Sequence, residues 1–591
     1  MTLPTTVTNP APMTNMPTIM SALPFLNKEQ SIAFIYLATA FLKRVFNAAQ
    51  VENNNTVQEI IDALGPISFN LRSIPLRMYL GGQGGCGKSH LLHLFKKFTI
   101  LWGMPNAVLI TATTGTAAVN IEGVTIHSII NLMPSQGNGA VSTRPASENE
   151  VKNIQGVFMI IVDECSMLGL SQLYDINARL NIVKTAIDPT LPQMLKNERR
   201  EMYFGDLDFI LVGDFMQLAP VGAASLYSQP KAKEKSRSEI SIRGKNEAIA
   251  RVIFNNIIDV VVVLKVAVRQ QKDLHFANIL SRIRSNEITD DDVRLLNSRV
   301  VSPALSVPND TPIIVYRNDL RNSINEQITS NVAHARKTKV FRIHAKFTAD
   351  GKAPLDAAKI RTLRQTRELT TSRLRGTLDV YVGMPVMITC NVAVTGFGIA
   401  NGTVATVFDV IYAEEDKDLL TEMTTDNDET YVICHDEKQP MVILLQLKNH
   451  KFKKLDGLPE GVFPLLVKGP LPCKLESRCS PGQYIRARMA QFPLVPAYSM
   501  TGHKVQGQTM NNILIADLDN NFISMNWLYT VLSRSTTLDG VFLSSKITDL
   551  KAKVAKQRQS DLMKFMLETL PQKDNESSAA LLTLIPSLAN L

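Results

Sequence analysis

Gly82–Ser89 reads GQGGCGKS within RMYLGGQGGCGKSHLLHLF, the spacing G-x-x-x-x-G-K-[ST]. Residues of these types at this spacing bind phosphate. Gly82, Gly84, Gly85 and Gly87 let backbone N–H groups turn inward around phosphate oxygens, and the following helix adds the positive end of its dipole. Lys88 would hold the β and γ phosphates, and Ser89 would place its hydroxyl on Mg²⁺. A glycine-rich turn with a chance lysine is the bland alternative. Against it, Met78–Leu80 looks like a strand end, and Leu91, Leu92, Phe95 and Phe98 form a helical apolar stripe on the other side of the loop.

Two further segments carry chemistry of the same kind. Phe158–Met167, FMIIVDECSM, is a hydrophobic strand ending in adjacent acids. After a phosphate loop, Asp163 is expected to support the Mg²⁺ shell and Glu164 to polarise a water for attack on the γ phosphate. Phe209–Val221, FILVGDFMQLAPV, ends in Gly213, Asp214 and Gln217. Gln217 is either a polar turn residue or a neutral group bonding both a phosphate oxygen and a neighbouring loop.

Such residues need strands that end together. Met78–Leu80, Ala107–Ile110, Phe158–Val162, Phe209–Val212 and Val260–Leu264 read as strands alternating with helices over residues 26–264, the pattern of a helix-covered parallel sheet. Residues 1–25 read as a flexible tail without lysine or arginine, unlike a secretory or Arg-rich transit signal. Polar residues 134–153 read as an excursion and 181–202 as a surface insertion. A second α/β region is expected over 265–403, with a strand at Pro312–Tyr316 and a helix holding Asn318 to Gln327, and it resumes over 491–550. Between these parts, 404–490 reads as a small β-rich insertion. Residues 551–591 read as a basic amphipathic helix and a tail. Arg361, Arg364, Arg367, Arg373 and Arg375 lie in a basic stretch that is either a solvated surface or a face for a nucleic-acid backbone.

The whole chain fits this plan. Its 591 residues exceed one core, and 45% hydrophobic with 20% charged residues is ordinary for folded domains. A net charge of +9 permits nucleic-acid binding without requiring it. Cys86, Cys165, Cys390, Cys434, Cys473 and Cys479 form no C-x-x-C pair, so neither a zinc site nor a disulfide framework is suggested and a reducing compartment fits. Cys86 and Cys165 read as small packing residues. The apolar run Ile257–Leu264 suits a buried strand rather than a membrane span.

Taken in order, the motifs resemble those of superfamily-one DNA helicases of the petite-integration-frequency (PIF) type, related to RecD, over about residues 26–550. LNKEQ at Leu26–Gln30 resembles the adenine-reading segment, with Gln30 on the base. TATTGTAAVNIEGVTIHS at Thr111–Ser128 resembles the first strand-binding motif. VDECSM and GDFMQLAPV are similar to motifs two and three. VAVRQ at Val266–Gln270 resembles motif four, with Arg269 reaching the γ phosphate. GMPVMITCNVAVTGFGIANGTVATV at Gly383–Val407 is similar to the segment before the family's β insertion. AYSMTGHKVQGQTM at Ala497–Met510 resembles motif five, and YTVLSRS at Tyr529–Ser535 motif six, with Arg534 as its arginine finger. Gly502, Val505, Ala219 and Asp206 depart from the family pattern, and 181–202 is longer than the family's usual stretch.

The resemblance implies an α/β fold of two RecA-like lobes with ATP between them, a wedge-like excursion at 134–153 and a small β-barrel-like insertion at 404–490. It implies an ATP- and Mg²⁺-dependent motor moving 5′-to-3′ on single-stranded DNA and opening forks or duplexes. Such a motor would act as a monomer in the nucleus or another DNA-containing compartment, with no membrane partner. Repair, recombination and telomere upkeep all use such a motor. Thr114, Gly115 and His127 on the first lobe, with Thr501 and His503 on the second, would grip the strand; for the two histidines a core role bonded to backbone is the alternative. Three other readings compete: a P-loop ATPase switch without translocation, an inactive relative, and an RNA motor of the same superfamily.

Overall fold

The structure, a computed structural model, describes residues 25–49, 75–132, 144–230, 242–350, 355–365 and, with short interruptions, 374–518 and 523–584. Residues 1–24 of the expected tail, 134–143 of the excursion, Arg367, Arg373, Cys434 and Cys479 lie outside them. Tertiary contacts divide the chain into two units. The first runs to Leu295 and adds Ser524–Leu538 and Asp549–Leu591; the second is Leu296–Ile523 with Asp539–Thr548.

The first unit is built on six strands: β1 (Arg77–Gly82), β2 (Val108–Ala112), β3 (Val124–Thr125), β4 (Met159–Asp163), β5 (Asp208–Gly213) and β6 (Val260–Leu264). They pair in the order β3-β2-β4-β5-β1-β6, and every pairing is parallel. A parallel sheet must be covered on both faces, which is why β1, β4 and β5 are buried along their whole length and read as unbroken apolar runs. Register brings the carboxyl ends together: Gly82 lies beside Leu264, Gly81 beside Gly213 and Ala112 beside Asp163. Ligands of open α/β sheets bind at this edge.

Two helices fix the loop after β1. Phe34 and Phe41, seven residues apart on Lys28–Ala49, pack edge-on against Phe95 and Phe98 of Lys88–Leu101, with ring centroids 5.5–6.3 Å apart. At the other side, the edge of β6 is covered by Leu570–Leu584. Ser577 Oγ accepts the Val261 N–H at 2.9 Å and Asp574 Oδ1 accepts the Val263 N–H at 2.9 Å, so outward-facing amides of an edge strand are satisfied. The last twenty residues, expected as a tail, are therefore helical through Leu584. Residues up to Ile187 of the expected insertion at 181–202 continue the helix Leu170–Ile187, and Leu191–Asn197 follows as a short helix. Asp206 sits at φ 56°, a left-handed backbone that suits the glycine of the resembling family. Arg44 donates to its carbonyl at 2.7 Å and Arg200 to its carboxylate at 2.6 Å, which holds the aspartate there.

The second unit has a parallel sheet in the order Ser499–Thr501, Ile313–Val315, Ile513–Ile515, Val541–Leu543. Beside it stand three further sheets, two antiparallel and one mixed. The strands of 404–490 do not pair only with one another. Val404–Ile411 pairs with Pro385–Ile388, Tyr484–Gln491 with Lys346–Ala349, and Thr430–Ile433 with Phe341–His344. Ile343, Leu378, Val386, Val407, Ile443 and Leu494 share one core, so the β-rich body draws on residues well before 404. The parallel sheets of both units give the α/β class expected from the strand pattern. Among the described residues no helix is long and apolar enough to cross a membrane.

Residues 144–153 of the excursion lead into Glu148–Ile154, a helix opened by a capping box of Ser147 and Glu150. Glu150 is buried and receives Arg179 Nε at 2.7 Å, Arg179 Nη2 at 2.6 Å and Arg144 at 2.9 Å. Burial alone would raise its pKa, but these bonds and those from Ser147 hold it well below the usual carboxylate range. Arg179→Ala leaves that carboxylate buried without its main partner, and we expect a loss of about 3–5 kcal/mol in urea denaturation at neutral pH. A depressed pKa stabilises above the unfolded value of 4.5 and stabilises less as pH falls below it. The gap between wild type and variant should therefore narrow in acid; a gap independent of pH would contradict this account.

Candidate nucleotide site and strand-contact residues

β1 delivers the chain into the glycine-rich loop, and Lys88 opens the next helix. Gly87 precedes it at φ 86°, where a Cβ would strike the Gln30 amide; only glycine suits both the backbone and the space. Lys88 Nζ donates to the Gly82 carbonyl at 2.7 Å and the Gln83 carbonyl at 3.0 Å, curling back over the loop. Ser89 is exposed at the first turn of the same helix. Gln30 is buried, donates to the Cys86 carbonyl at 3.3 Å, and is held by reciprocal bonds with Asn27.

The acids follow from β4. Asp163 is buried and accepts the Glu164 N–H at 2.8 Å, while Glu164 takes a left-handed backbone, φ 54°. Burial, with Glu164 beside it, pushes the Asp163 carboxyl up to about 7, and Lys88 pulls in the other direction. Cys86 and Cys165 are fully buried packing residues, and burial pushes the Cys165 thiol far up.

Both arginines meet this loop within the first unit. The Gly85 carbonyl accepts the N–H groups of Val268 at 2.9 Å and Arg269 at 3.0 Å. Arg269 donates to the Ser533 carbonyl at 2.8 Å. Arg534 is 1% exposed, donates to the Thr530 carbonyl and to Ser533 Oγ at 2.8 Å each, and reaches Gln217 Oε1 at 3.5 Å. A Cβ on Gly84 would lie 2.9 Å from the Arg534 guanidinium and 3.4 Å from the Gln217 amide. Burial, with Arg534 beside it, lowers Arg269 to about 9; burial also lowers Arg534. Two guanidiniums are thus held at adjacent glycines of the loop, Arg534 by Gly84 and Arg269 by Gly85. Gln30, Gly84, Gly85, Gly87, Lys88, Gln217, Arg269 and Arg534 form one constellation. Gly82 and Ser89 bound its loop, and Asp163 and Glu164 act on it electrostatically.

Residues beyond those expected hold the constellation together. The Gly84 N–H donates to the Tyr529 hydroxyl at 3.3 Å, and that hydroxyl donates to Asp214 Oδ2 at 2.9 Å. Arg284 backs the same carboxylate at 3.4 Å. Asn526 donates to the carbonyls of Phe215, Met216 and Gln217 at 2.9–3.3 Å. Tyr529 and Asn526 lie on Met525–Leu532, a helix buried over nearly its whole length, where a tyrosine reads as core. Their one sequence signal is place: Tyr529 stands five residues before Arg534.

The strand-contact candidates divide between the units. Thr114 caps Gly115–Asn120, its hydroxyl accepting the Ala117 N–H at 3.3 Å, and Gly115 is buried. His127 is half-buried on Ile126–Ile129, and burial lowers its pKa. In the second unit Thr501 is buried at a strand end, and His503 is exposed on Gly502–Val505. Among the described residues no cluster of three His, Cys, Asp or Glu residues could hold a metal.

Residues 52–293 match the model of the PIF1-like helicase family. The chain is 25% identical over 520 residues to the ATP-dependent DNA helicase PIF1 of Candida albicans, covering 78% of this chain and 52% of that protein. To the ATP-dependent DNA helicase Pif1 of a Psychrobacter species it is 23% identical over 489 residues, 79% of this chain and 65% of that one. The chain spans about half the length of the first of these relatives. The fold is similar to a Bacteroides Pif1 crystallised with ADP-AlF3 and single-stranded DNA, with TM-score 0.53, 19% identity, and coverage of 85% of this chain and 96% of that one.

Tyr529→Phe removes the hydroxyl shared by Gly84 and Asp214 while keeping the ring. We expect a destabilisation of about 1–3 kcal/mol in the nucleotide-free protein. A double-mutant cycle with Asp214→Asn should give a coupling of about 0.5–3 kcal/mol in urea denaturation. Strict additivity of the two changes would mean that the hydroxyl does not link loop and carboxylate.

Proposed function

We propose that this protein is a Mg²⁺-dependent ATP hydrolase that moves 5′-to-3′ along single-stranded DNA and opens forks and duplexes. One observation carries the reading: Lys88, Gln217, Arg269 and Arg534 gather at a glycine-rich loop, in a chain whose residues 52–293 match the PIF1-like helicase model. In this reading Lys88 swings from the loop carbonyls to the β and γ phosphates, and Gln30 contacts the adenine. Ser89 and Asp163 would hold Mg²⁺. A hydroxyl and one carboxylate suit this ion, because phosphates and waters complete its shell. A buried carboxyl pushed up to about 7 is a group that gains from a nearby cation. Bound there, the ion would neutralise charge on the phosphates. Glu164 orients the attacking water, and Gln217, Arg269 and Arg534 stabilise charge on the transferring phosphoryl group.

Thr114, Gly115, His127, Thr501 and His503 would contact the strand through hydroxyl, backbone and imidazole groups that do not read sequence. Action as a monomer, in a DNA-containing compartment and in repair, recombination or telomere maintenance, belongs to the same proposal. The first test is ATP hydrolysis with single-stranded DNA, with single-stranded RNA and with neither, at fixed low salt. Strong stimulation by DNA over RNA is expected. Turnover indifferent to both would identify a switch ATPase, and equal or greater stimulation by RNA an RNA motor.

Within that assay, Lys88→Ala should abolish turnover, and Glu164→Gln should bind ATP while turning it over very slowly. Arg534→Ala should keep nucleotide binding and lose about 10³–10⁵ in rate, because its guanidinium acts on transition-state charge. Full DNA-stimulated turnover by Arg534→Ala would remove Arg534 from the reaction.

A further inference from the structure

Beyond residue 550, in the segment expected as a helix and a tail, two side chains act on the loop that holds Gln217. That loop follows β5, and Phe215, Met216 and Gln217 are all buried. Phe215 sits in a box of rings. Tyr79 of β1 stacks on it with centroids 4.9 Å apart, and Tyr227, Phe254 and Phe565 meet it edge-on at 5.5–5.8 Å. Phe565 also lies 6.2 Å from Tyr227 and 5.7 Å from Phe254, so the C-terminal segment closes the box.

The second arm is polar. Asn526 Nδ2 is shared among the carbonyls of Phe215, Met216 and Gln217, and Asn526 Oδ1 accepts Gln557 Nε2 at 2.8 Å. An amide whose oxygen is taken presents its N–H groups in one direction, so Gln557 fixes the clasp on the loop. The segment is itself docked along its length. The Gln229 N–H donates to Asp561 Oδ2 at 2.9 Å, Lys573 donates to the Asn255 carbonyl at 2.7 Å, and Asp574 and Ser577 hold the β6 amides. Among the described residues there are two π-helical turns, Ile253–Ile257 and Phe565–Thr569, and they carry Phe254 and Phe565 to the same ring. Such turns are rare and recur at functional sites.

Gln217 has little room to move. Its Oε1 lies 3.5 Å from Arg534 Nη2, at the limit of a hydrogen bond, and a Cβ on Gly84 would lie 3.4 Å from its amide. A small shift of the loop changes both contacts. We propose that Phe565 and Gln557 are positioning residues: through Phe215 and Asn526 they hold Gln217 in register with Gly84 and Arg534, which brings the C-terminal segment into the control of hydrolysis. The effect on hydrolysis rests on the reading of Gln217 as a group that acts on the transferring phosphoryl charge.

The test uses the full chain with Phe565→Leu, Phe565→Tyr or Gln557→Ala. Gln557→Ala keeps every ring, so it probes the same loop should Phe565→Leu not fold. Without nucleotide, hydrogen exchange in a peptide spanning 214–218 should quicken about tenfold in Phe565→Leu and in Gln557→Ala, the worth of one ring–ring contact or hydrogen bond. A peptide spanning Gly115–Asn120, toward the far edge of the sheet, should not change. Phe565→Tyr keeps the ring and should exchange like the wild type. In ATP hydrolysis stimulated by oligothymidylate, Phe565→Leu and Gln557→Ala should lose about ten- to a hundredfold in kcat with little change in the KM for ATP, because a misplaced Gln217 fails in the transition state rather than in binding. Phe565→Tyr should keep the rate. Added to Gln217→Ala, Phe565→Leu should cost nothing further. A ring that only supports the fold gives another pattern: exchange quickens in both peptides, and the losses of Phe565→Leu and Gln217→Ala multiply. Either of these results, or unchanged exchange over 214–218 in both variants, overturns the proposal. A wild type without turnover, or full turnover by Gln217→Ala, would instead remove the reading of Gln217, and the exchange measured without nucleotide still decides whether Phe565 and Gln557 hold the loop.

Discussion

Charge carried into the interior beside the glycine-rich loop is the constraint on which the first unit depends. Arg269 and Arg534 are carried into the protein beside a loop of glycines, and both are less readily protonated there than in water. Asp163, a few residues of strand away, is less readily ionised. Excess charge of both signs at one sheet edge is costly for the empty protein and favourable once an anion and a cation arrive together. Nucleotide binding would then be driven by relief of that cost as much as by new contacts.

Such a site must not collapse on itself, and the hydrogen bonds around it show how this is prevented. Lys88 is parked on loop carbonyls rather than on the acids. Arg534 is tied to its own helix through Thr530 and Ser533. The Gly84 amide, which the phosphate chemistry needs, is occupied by the neutral Tyr529 hydroxyl, whose pKa burial raises well above its ordinary value. Because Tyr529 also bonds Asp214, a change of partner at Gly84 is felt at the end of β5 and at Arg284. These bonds form one continuous chain of contacts from the loop to Arg284.

Much of this was legible in the sequence. Strand runs in a parallel sheet are continuous and apolar, so Val260–Leu264 was found to the residue and β1, β2, β4 and β5 to within a few residues, while the short edge strand β3 was not foreseen. The phosphate loop and the acids were legible because their chemistry demands particular residue types at fixed spacing. What was hidden depends on tertiary contact. Tyr529 and Asn526 sit in an apolar helix whose periodicity marks them as core. Segment 524–538, expected in the second α/β region, makes its contacts with the first unit. The helix Leu570–Leu584 was read mostly as tail because what it does, satisfying two β6 amides through Asp574 and Ser577, leaves no apolar stripe to read. The β-rich body was placed too late because its partner strands, such as Phe341–His344, are short and lie among basic residues.

The chain's arginines also show how function can be separated from scaffolding. Arg179 is as buried as Arg534, yet its guanidinium is matched by the Glu150 carboxylate, and the pair closes a helix onto its neighbour. Arg282 is likewise matched by Asp292. At the glycine-rich loop, by contrast, the bonds described above tie Arg269 and Arg534 to carbonyls, a hydroxyl and an amide, and the charge of Glu164 acts on both. Such acceptors orient a guanidinium toward the loop rather than lock it in a structural ion pair. Burial alone does not mark an arginine as functional; the groups that orient it, and what it is aimed at, do.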